Sequence, residues 1–326
     1  MSAASPLMRE YHANLKGMVA FAVVLVLVGF AVTGSYPKTM LIFAMIHAIA
    51  AIGLGLLFGH GGQISLCQGG LLGLGAYISA DFVRLLGLDP SLGLIAATLL
   101  PAGFGWLVAR PLLQLSSHYL AMATLALGLI LSIFYTQWVW LTGGADPGIS
   151  NLPPFTPFGL QLGSTNAMFW VCAVILLLVL LVAINLIHSR MGRALRALRS
   201  GEVPAAALGV DTVRSKVAIF AIAAGMSGLA GGLYANFTRA FNASGFEVGL
   251  SIDLLIMVLV GSVRSPWGAV SGAFLITILP AFLEDFDRYR LFSYGILMTI
   301  IMVFMPDGLA SAVFDGVRAL ARRRRT

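Results

Sequence analysis

The chain has 326 residues, of which 59% are apolar and only 10% are charged. Ordinary globular proteins contain about 25% charged residues, so this composition excludes a soluble protein of this size and predicts an all-α integral membrane protein. The net charge of +7 does not indicate a nucleic-acid partner, because the basic residues lie beside long apolar segments, where they set membrane orientation.

Apolar runs of about 17–25 residues predict transmembrane helices, and the chain contains about ten of them. The first has no clear cleavage site, so we interpret it as a retained helix and not as a signal peptide. Polar residues interrupt the third, and a short polar sequence separates the eighth from the ninth, so eight or nine helices are the alternatives. The predicted segments are 17–35, 39–58, 64–82, 91–109, 118–141, 167–188, 216–236, 247–263, 267–283 and 290–305.

Lysine and arginine are distributed unevenly between the two sets of loops. With both termini in the cytoplasm, 15 of the 20 basic residues lie on the cytoplasmic side, and the outside loop 142–166 contains none. This favours ten helices with both ends inside; the alternative is a different count that balances by chance. The predicted parts are a cytoplasmic tail 1–16, a transmembrane domain 17–305 with a cytoplasmic loop 189–216, and a basic cytoplasmic tail 306–326.

Residues 59–77 combine seven glycines with neutral polar residues near the start of the third predicted helix. Tight helix packing is one interpretation, because small residues let helix backbones approach each other. The other is a broken helix that lines a translocation path, where irregular backbone is tolerated. The second interpretation assigns Gln63, Ser65, Gln68 and Tyr77 to the substrate path.

The cytoplasmic loop contains a basic stripe and a predicted short helix. Arginines recur at three-residue spacing from Arg193 to Arg199. Pro204 is tolerated only in the first turn of a helix, and Gly209 stands where a left-handed C-terminal cap is expected. The residues between them, 205–208, predict a small-surfaced helix that fits a groove on another protein; the alternative is a plain basic loop.

Residues 225–234 repeat the pattern of glycines followed by a tyrosine. Helix packing is the favoured interpretation, and the likeness to residues 69–77 is too weak to indicate an internal repeat.

Asp253 lies within the eighth apolar segment. A charge at mid-bilayer costs at least roughly 2.5–3.5 kcal/mol, which predicts a path-facing or paired position. Glu247 is only six residues away, so the alternative is an interfacial carboxylate near the outer end of the helix.

The chain lacks the motifs of ATP-hydrolysing enzymes, zinc peptidases and serine hydrolases. Its five histidines are scattered, and Cys67 and Cys172 lie in apolar stretches typical of packing residues. The sequence therefore predicts neither catalysis nor a metal site in this chain.

Seven short stretches, in order, resemble the permeases of the branched-chain amino-acid class of ABC importers, especially the M-type subunit. No single stretch is specific, but the ordered set is, and it covers roughly residues 40–310. The stretches are 62–66 (GQISL), 73–77 (GLGAY), 119–126 (YLAMATLA), 141–144 (LTGG), 192–199 (GRALRALR), 206–210 (AALGV) and 306–309 (PDGL).

The resemblance implies a permease domain without catalysis or a cofactor of its own, in the bacterial cytoplasmic (inner) membrane. It implies three kinds of partner: a homologous second permease, two ABC ATPase subunits that bind ATP and Mg²⁺, and an extracytoplasmic solute-binding protein. It also identifies the short cytoplasmic helix as the coupling helix that contacts the ATPase. The coupling residues implied are Glu202, Ala205, Ala206, Leu208 and Gly209.

Two departures from the family pattern bear on the solute. Many relatives have Gly-His where this chain has Cys67 and Gln68, and Pro204 is unusual inside the coupling segment. The predicted cargo is therefore a small polar solute: a branched-chain or related amino acid, an amide, urea or a small organic acid. A stand-alone secondary transporter or channel is the alternative, although it typically carries several intramembrane charges, and here only Asp253 qualifies. An intramembrane enzyme or scaffold is the third.

Overall fold

A computed structural model describes residues 6–113, 115, 117–157, 162–263 and 265–282, together with positions 295 and 299. In these ranges the regular structure is helical, apart from an isolated antiparallel bridge between Ile149 and Phe241. The α-helices are α1 (Pro6–Ala31), α2 (Ser35–Gly55), α3 (Gln68–Arg84), α4 (Pro90–Leu112), α5 (Ser117–Gln137), α6 (Val139–Thr142), α7 (Thr165–His188), α8 (Arg190–Ser200), α9 (Glu202–Ala207), α10 (Thr212–Thr238), α11 (Val248–Gly261) and α12 (Pro266–Phe282). A π-helical turn, Leu56–His60, extends α2, and a 3₁₀ turn, Ala243–Phe246, precedes α11.

Seven helices in the described part of the chain are long and apolar enough to cross a membrane. The all-helical architecture is thereby confirmed, whereas ten spans with both termini inside stay a prediction. Two predicted segments, 64–82 and 267–283, correspond to α3 and α12, which have 17 residues each. The predicted span 290–305, except for positions 295 and 299, and the tail 306–326 lie outside the described residues.

The first helix begins earlier than predicted. Because α1 starts at Pro6, residues 6–16 of the predicted tail 1–16 are its first turns. Its start packs at the same end of the bundle as the start of α12, where the Trp267 indole donates a hydrogen bond to Asn14 at 3.3 Å.

Basic residues separate between the two ends of the helix bundle. The end that holds the start of α1 is called the basic end here. Its described basic residues are Lys16, Arg110, Arg190, Arg193, Arg196, Arg199, Arg214 and Lys216, whereas Lys38, Arg84 and Arg239 lie at the opposite end. The separation follows the predicted charge asymmetry, and the side of the membrane that each end faces stays a prediction.

The helix α10 lies at the centre of the bundle and packs through its glycines. A β-carbon added at Gly228 would collide with the Ala97 carbonyl oxygen of α4, and one added at Gly231 with the Leu72 carbonyl oxygen of α3. Backbone contact this close requires glycine, so the packing interpretation of residues 225–234 is confirmed.

Large apolar side chains cover the outward faces of several helices. Phe30 on α1 is 74% exposed and Leu99 on α4 is 64% exposed. An apolar surface of this extent is unfavourable in water and fits contact with lipid.

Candidate functional site

The chain between α2 and α3 is a non-helical connection between two helices, called the break here. The π-helical turn ends at His60, residues 61–67 are not helical, and α3 begins at Gln68. Gly62 has a φ of +65°, a left-handed conformation in which glycine carries no steric penalty. The third helix starts four residues later than predicted, which leaves Ser65 outside it. A β-carbon at Gly75 would collide with the Gly228 backbone of α10, so the packing interpretation of this segment is confirmed, and the lining of a translocation path stays a prediction.

Hydroxyl groups of neighbouring helices satisfy the backbone around this break. The Leu66 amide donates to the Thr124 hydroxyl of α5 at 3.1 Å, and the Gly69 amide donates to the Ser251 hydroxyl of α11 at 2.9 Å. Irregular backbone at membrane depth requires such internal partners because lipid provides none.

Two buried glutamines lie at the break. Gln63 is 4% exposed and Gln68 is fully buried. The Ser227 hydroxyl of α10 donates to Gln68 Oε1 at 2.5 Å. Among the residues that the structure describes, Gln68 Nε2 and both amide atoms of Gln63 have no hydrogen-bond partner. A buried unpaired polar group costs about 1–3 kcal/mol, so these amides favour a polar ligand or water.

The other two predicted residues on this segment differ in their surroundings. Ser65 is buried at the break, with its hydroxyl 3.3 Å from Cys67 Sγ. Tyr77 lies nine residues beyond Gln68 on α3, which places it about 13 Å along the helix axis from the glutamines. Its ring instead packs in an aromatic cluster with Tyr135 at 4.9 Å and Phe241 at 5.2 Å between ring centroids.

The structure does not bring Asp253 to the glutamines. Asp253 is half-buried on α11, two positions after Ser251, which faces α3. Side chains two positions apart on an α-helix point about 200° apart, so Asp253 is directed away from the break.

The loop predicted to be cytoplasmic folds into α8 and α9, and the C-terminal end of α9 is closed by its own backbone. The Val210 amide donates to the Ala205 carbonyl at 3.1 Å, and the Gly209 amide donates to the Ala206 carbonyl at 2.9 Å. With Gly209 at a φ of +79°, this pair of bonds forms a Schellman motif. The predicted short helix and its left-handed glycine are confirmed, and Pro204 lies in the first turn as expected.

The outward face of α9 differs from the prediction. Ala205 is 1% exposed and belongs to the buried apolar cluster that includes Leu198 of α8, so it does not face outward. A six-residue helix beside α8 must bury one face, and Ala205 lies on it. Leu208 is 79% exposed and Val203, which was not predicted, is 82% exposed. Pro204, Ala206, Ala207 and Gly209 are exposed as well. Glu202 begins α9, and its side chain is outside what the structure describes.

The arginines of α8 are bound to backbone and do not form a free stripe. Arg199 Nη1 donates to the Gly59 carbonyl at 2.6 Å, and Arg196 Nη1 donates to the Ile187 carbonyl at 2.9 Å. Gly59 belongs to the π-helical turn that precedes the break. A direct hydrogen bond therefore connects α8 to the turn that precedes the break.

Sequence reasoning missed the hydroxyls that surround the break and the role of Arg199. Ser251 is the one hydroxyl within the apolar helix α11, and this isolation was an available signal. Thr124 and Ser227 share their helices with other hydroxyl residues, so no such signal marked them. The described residues contain no group of three side chains placed to hold a metal ion.

Comparisons with known proteins converge on one family. Residues 36–306 match the family described as branched-chain amino acid transport system / permease component. The chain is 30% identical over 288 residues to the high-affinity branched-chain amino acid transport system permease protein LivM of Escherichia coli (strain K12), covering 81% of this chain and 68% of that protein. The LivM protein of Salmonella typhimurium is 32% identical, again over 81% of this chain and 68% of that protein. The permease protein LivH of Escherichia coli (strain K12) is 26% identical over 81% of this chain and 90% of that protein. No solved structure matches significantly.

Proposed function

Because this chain belongs to the family of permease components of branched-chain amino acid transport systems, we propose that it forms half of the translocation pathway of an ABC importer. It is a multi-pass membrane protein and a non-catalytic transmembrane subunit. The proposed cargo is a branched-chain amino acid or a related amino acid, amide, urea or small organic acid. The proposed location is the bacterial cytoplasmic membrane.

The proposed complex contains a homologous second permease, two ABC ATPase subunits that bind ATP and Mg²⁺, and an extracytoplasmic solute-binding protein. Two permease proteins of one organism, named LivM and LivH, both resemble this chain, which supports a pathway built from two related permeases.

The proposed substrate path rests on one observation, the unpaired glutamines at the break. Helix α3 begins inside the bundle at Gln68, and the start of a helix carries a partial positive charge that favours a carboxylate. The free amide groups of Gln63 and Gln68 add donors and an acceptor. Helices α5, α10 and α11 pack against the break, where the two glutamines are buried. Contact with a solute therefore requires these helices to move during the transport cycle.

The proposed coupling route runs from α9 through α8 to the break. Val203, Ala206 and Leu208 form an exposed face on α9 that suits a groove on the ATPase. The hydrogen bond from Arg199 to Gly59 then transmits a displacement of α8 to the π-helical turn. Coupling of this kind needs one element whose position both partners bias, and the α8–α9 pair is proposed for it.

Purification of the tagged full-length chain from its native membrane in mild detergent tests the function. We expect an ABC ATPase to copurify, with ATP hydrolysis in lipid discs that rises when loaded binding protein is added. Ala206→Arg should weaken this association, because a long charged side chain on the docking face clashes and loses solvation. Solute uptake by the chain alone, without ATP, would contradict the proposal and favour the secondary transporter.

A further inference from the structure

A basic cavity lies between the end of α4 and the start of α10, at the basic end of the bundle. Its volume is about 630 Å³. The Arg110 guanidinium lies 4.1 Å from the centroid of the Trp106 ring, a cation–π contact. Asp211 Oδ1 is already bound by the Arg214 backbone amide at 2.9 Å. The cavity is lined by Trp106, Arg110, Asp211, Val213, Arg214 and Val217, with two guanidinium groups and one carboxylate.

An apolar groove lies further along the same two helices. It has a volume of about 440 Å³ between α4, α7 and α10, and its walls include Leu99, Ala102, Val182 and Ile222. On α4, Ala102, Trp106 and Arg110 follow each other at four-residue spacing, so they share one face of the helix. The distance along the helix from Ala102 to Arg110 is about 12 Å.

Along α4 the surface changes from the apolar groove to Trp106 and then to Arg110. This order matches that of one membrane leaflet, from hydrocarbon to headgroup. The hydrocarbon of one leaflet is about 15 Å deep, half of a core of about 30 Å. Trp106 is 46% exposed beside Val213 at 53%, and tryptophan concentrates at the headgroup level of membranes. Guanidinium groups bind phosphate oxygens through paired hydrogen bonds. A protein partner would not require this graded order along the membrane normal.

We propose that the chain binds one anionic phospholipid of the cytoplasmic leaflet, with its phosphate between Arg110 and Arg214 and an acyl chain in the groove toward Ala102. Basic pockets between helices on the cytoplasmic side bind the headgroups of anionic lipids. The lipid joins α4 to α10 immediately after the coupling helix α9. Lipid binding is independent of the cargo and of the ATPase.

Native mass spectrometry of the full-length chain, purified in mild detergent with the subunits that remain bound, tests the lipid site. After delipidation, the sample is mixed with vesicles of phosphatidylglycerol or of phosphatidylcholine. We expect one retained phosphatidylglycerol and no retained phosphatidylcholine. The double variant Arg110→Gln/Arg214→Gln should retain roughly tenfold less phosphatidylglycerol. The control Lys16→Gln/Arg193→Gln removes the same charge at the same end and should retain the lipid as the parent does.

A second variant separates a lipid from free phosphate. Ala102→Phe fills the groove without touching the arginines, so it should reduce retention of phosphatidylglycerol while leaving the monodisperse elution of the protein unchanged. Equal retention by the two double variants would overturn the proposal. So would displacement of phosphatidylglycerol by millimolar inorganic phosphate, which would indicate an anion site. Retention by the isolated chain that disappears when another subunit binds would indicate a protein interface, and would also overturn it.

Discussion

Two glycine-rich segments of this chain, residues 59–77 and 225–232, have similar composition and different structures. In the second, the helix α10 continues without interruption, and Gly225, Gly228 and Gly231 open space for a neighbouring backbone. In the first, the glycines at 61 and 62 end a helix, and a β-carbon at Gly62 would meet nothing within 4 Å. Gly59 and Gly75 of the first segment also lie against a neighbouring backbone, so glycine serves contact in both segments and a turn in the first alone.

The neighbours of the glycines distinguish the two segments. Residues 225–232 contain one hydroxyl, Ser227, among apolar residues, whereas glutamines flank the glycines at the break. Consecutive glycines weaken a helix because glycine loses the most backbone freedom on folding, and the buried amide side chains beside them need polar partners. The comparison teaches that glycine content predicts close packing, and that glycine with adjacent amides predicts a break.

The largest effect is expected for Gly231→Val in α10, the segment in which the glycines serve packing. Its side chain would collide with the Leu72 backbone of α3, which has no free direction to move. We expect little monodisperse protein, and for the milder Gly231→Ala a loss of about 1–3 kcal/mol in unfolding free energy. Thermal unfolding in detergent measures it. The control Gly103→Ala lies on α4 with open space around it and should be neutral or slightly stabilising.

On the other side of the comparison, Gln68→Leu should reduce solute uptake roughly tenfold or more while the complex still assembles. The substitution leaves the Ser227 hydroxyl unpaired, which costs about 1–3 kcal/mol of stability. Gln68→Leu/Ser227→Ala removes both partners and should restore thermal stability without restoring uptake. If the double variant transports like the parent, the glutamine serves packing, as the glycines of α10 do.

Substitution of Arg199 tests whether the break is coupled to the predicted cytoplasmic loop. Arg199→Gln removes a charged donor to Gly59, and we expect a several-fold smaller stimulation of ATP hydrolysis by loaded binding protein, with normal ATPase copurification. Arg193→Gln is the matched control, because its guanidinium donates to the Ser189 carbonyl at the start of its own helix. Equal stimulation in the two variants would refute the route through Gly59.

The smallest expected effect concerns backbone conformation at the break. Gly62→Ala should lower the unfolding free energy by about 1–2 kcal/mol, because an L-residue is strained at a φ of +65°. Gly62→Asn should cost less, since asparagine tolerates the left-handed region. Thermal unfolding of the two variants checks the order. A larger loss for Asn than for Ala would show that space, and not φ, is limiting at Gly62.

The sequence predicted features that depend on neighbouring residues and missed those that depend on distant ones. The apolar spans, the short helix α9 and the left-handed Gly209 follow from local patterns, and the structure has them. The bond from Arg199 to Gly59 joins positions 140 residues apart, and no local pattern encodes it. Ala205 was placed outward because residue size says nothing about which side of a short helix faces α8.

The closed end of α9 has a consequence for how the transporter assembles. A free six-residue helix is unstable in water, because the first turn costs more than its single hydrogen bond returns. Here the Schellman bonds at Gly209 and Val210 and the buried Ala205 hold the helix in shape without an ATPase present. The ATPase proposed to bind α9 would meet a preorganised surface, with little affinity lost to ordering it. The proposed ATPase subunits would then leave and rejoin the permease without a refolding step at the contact.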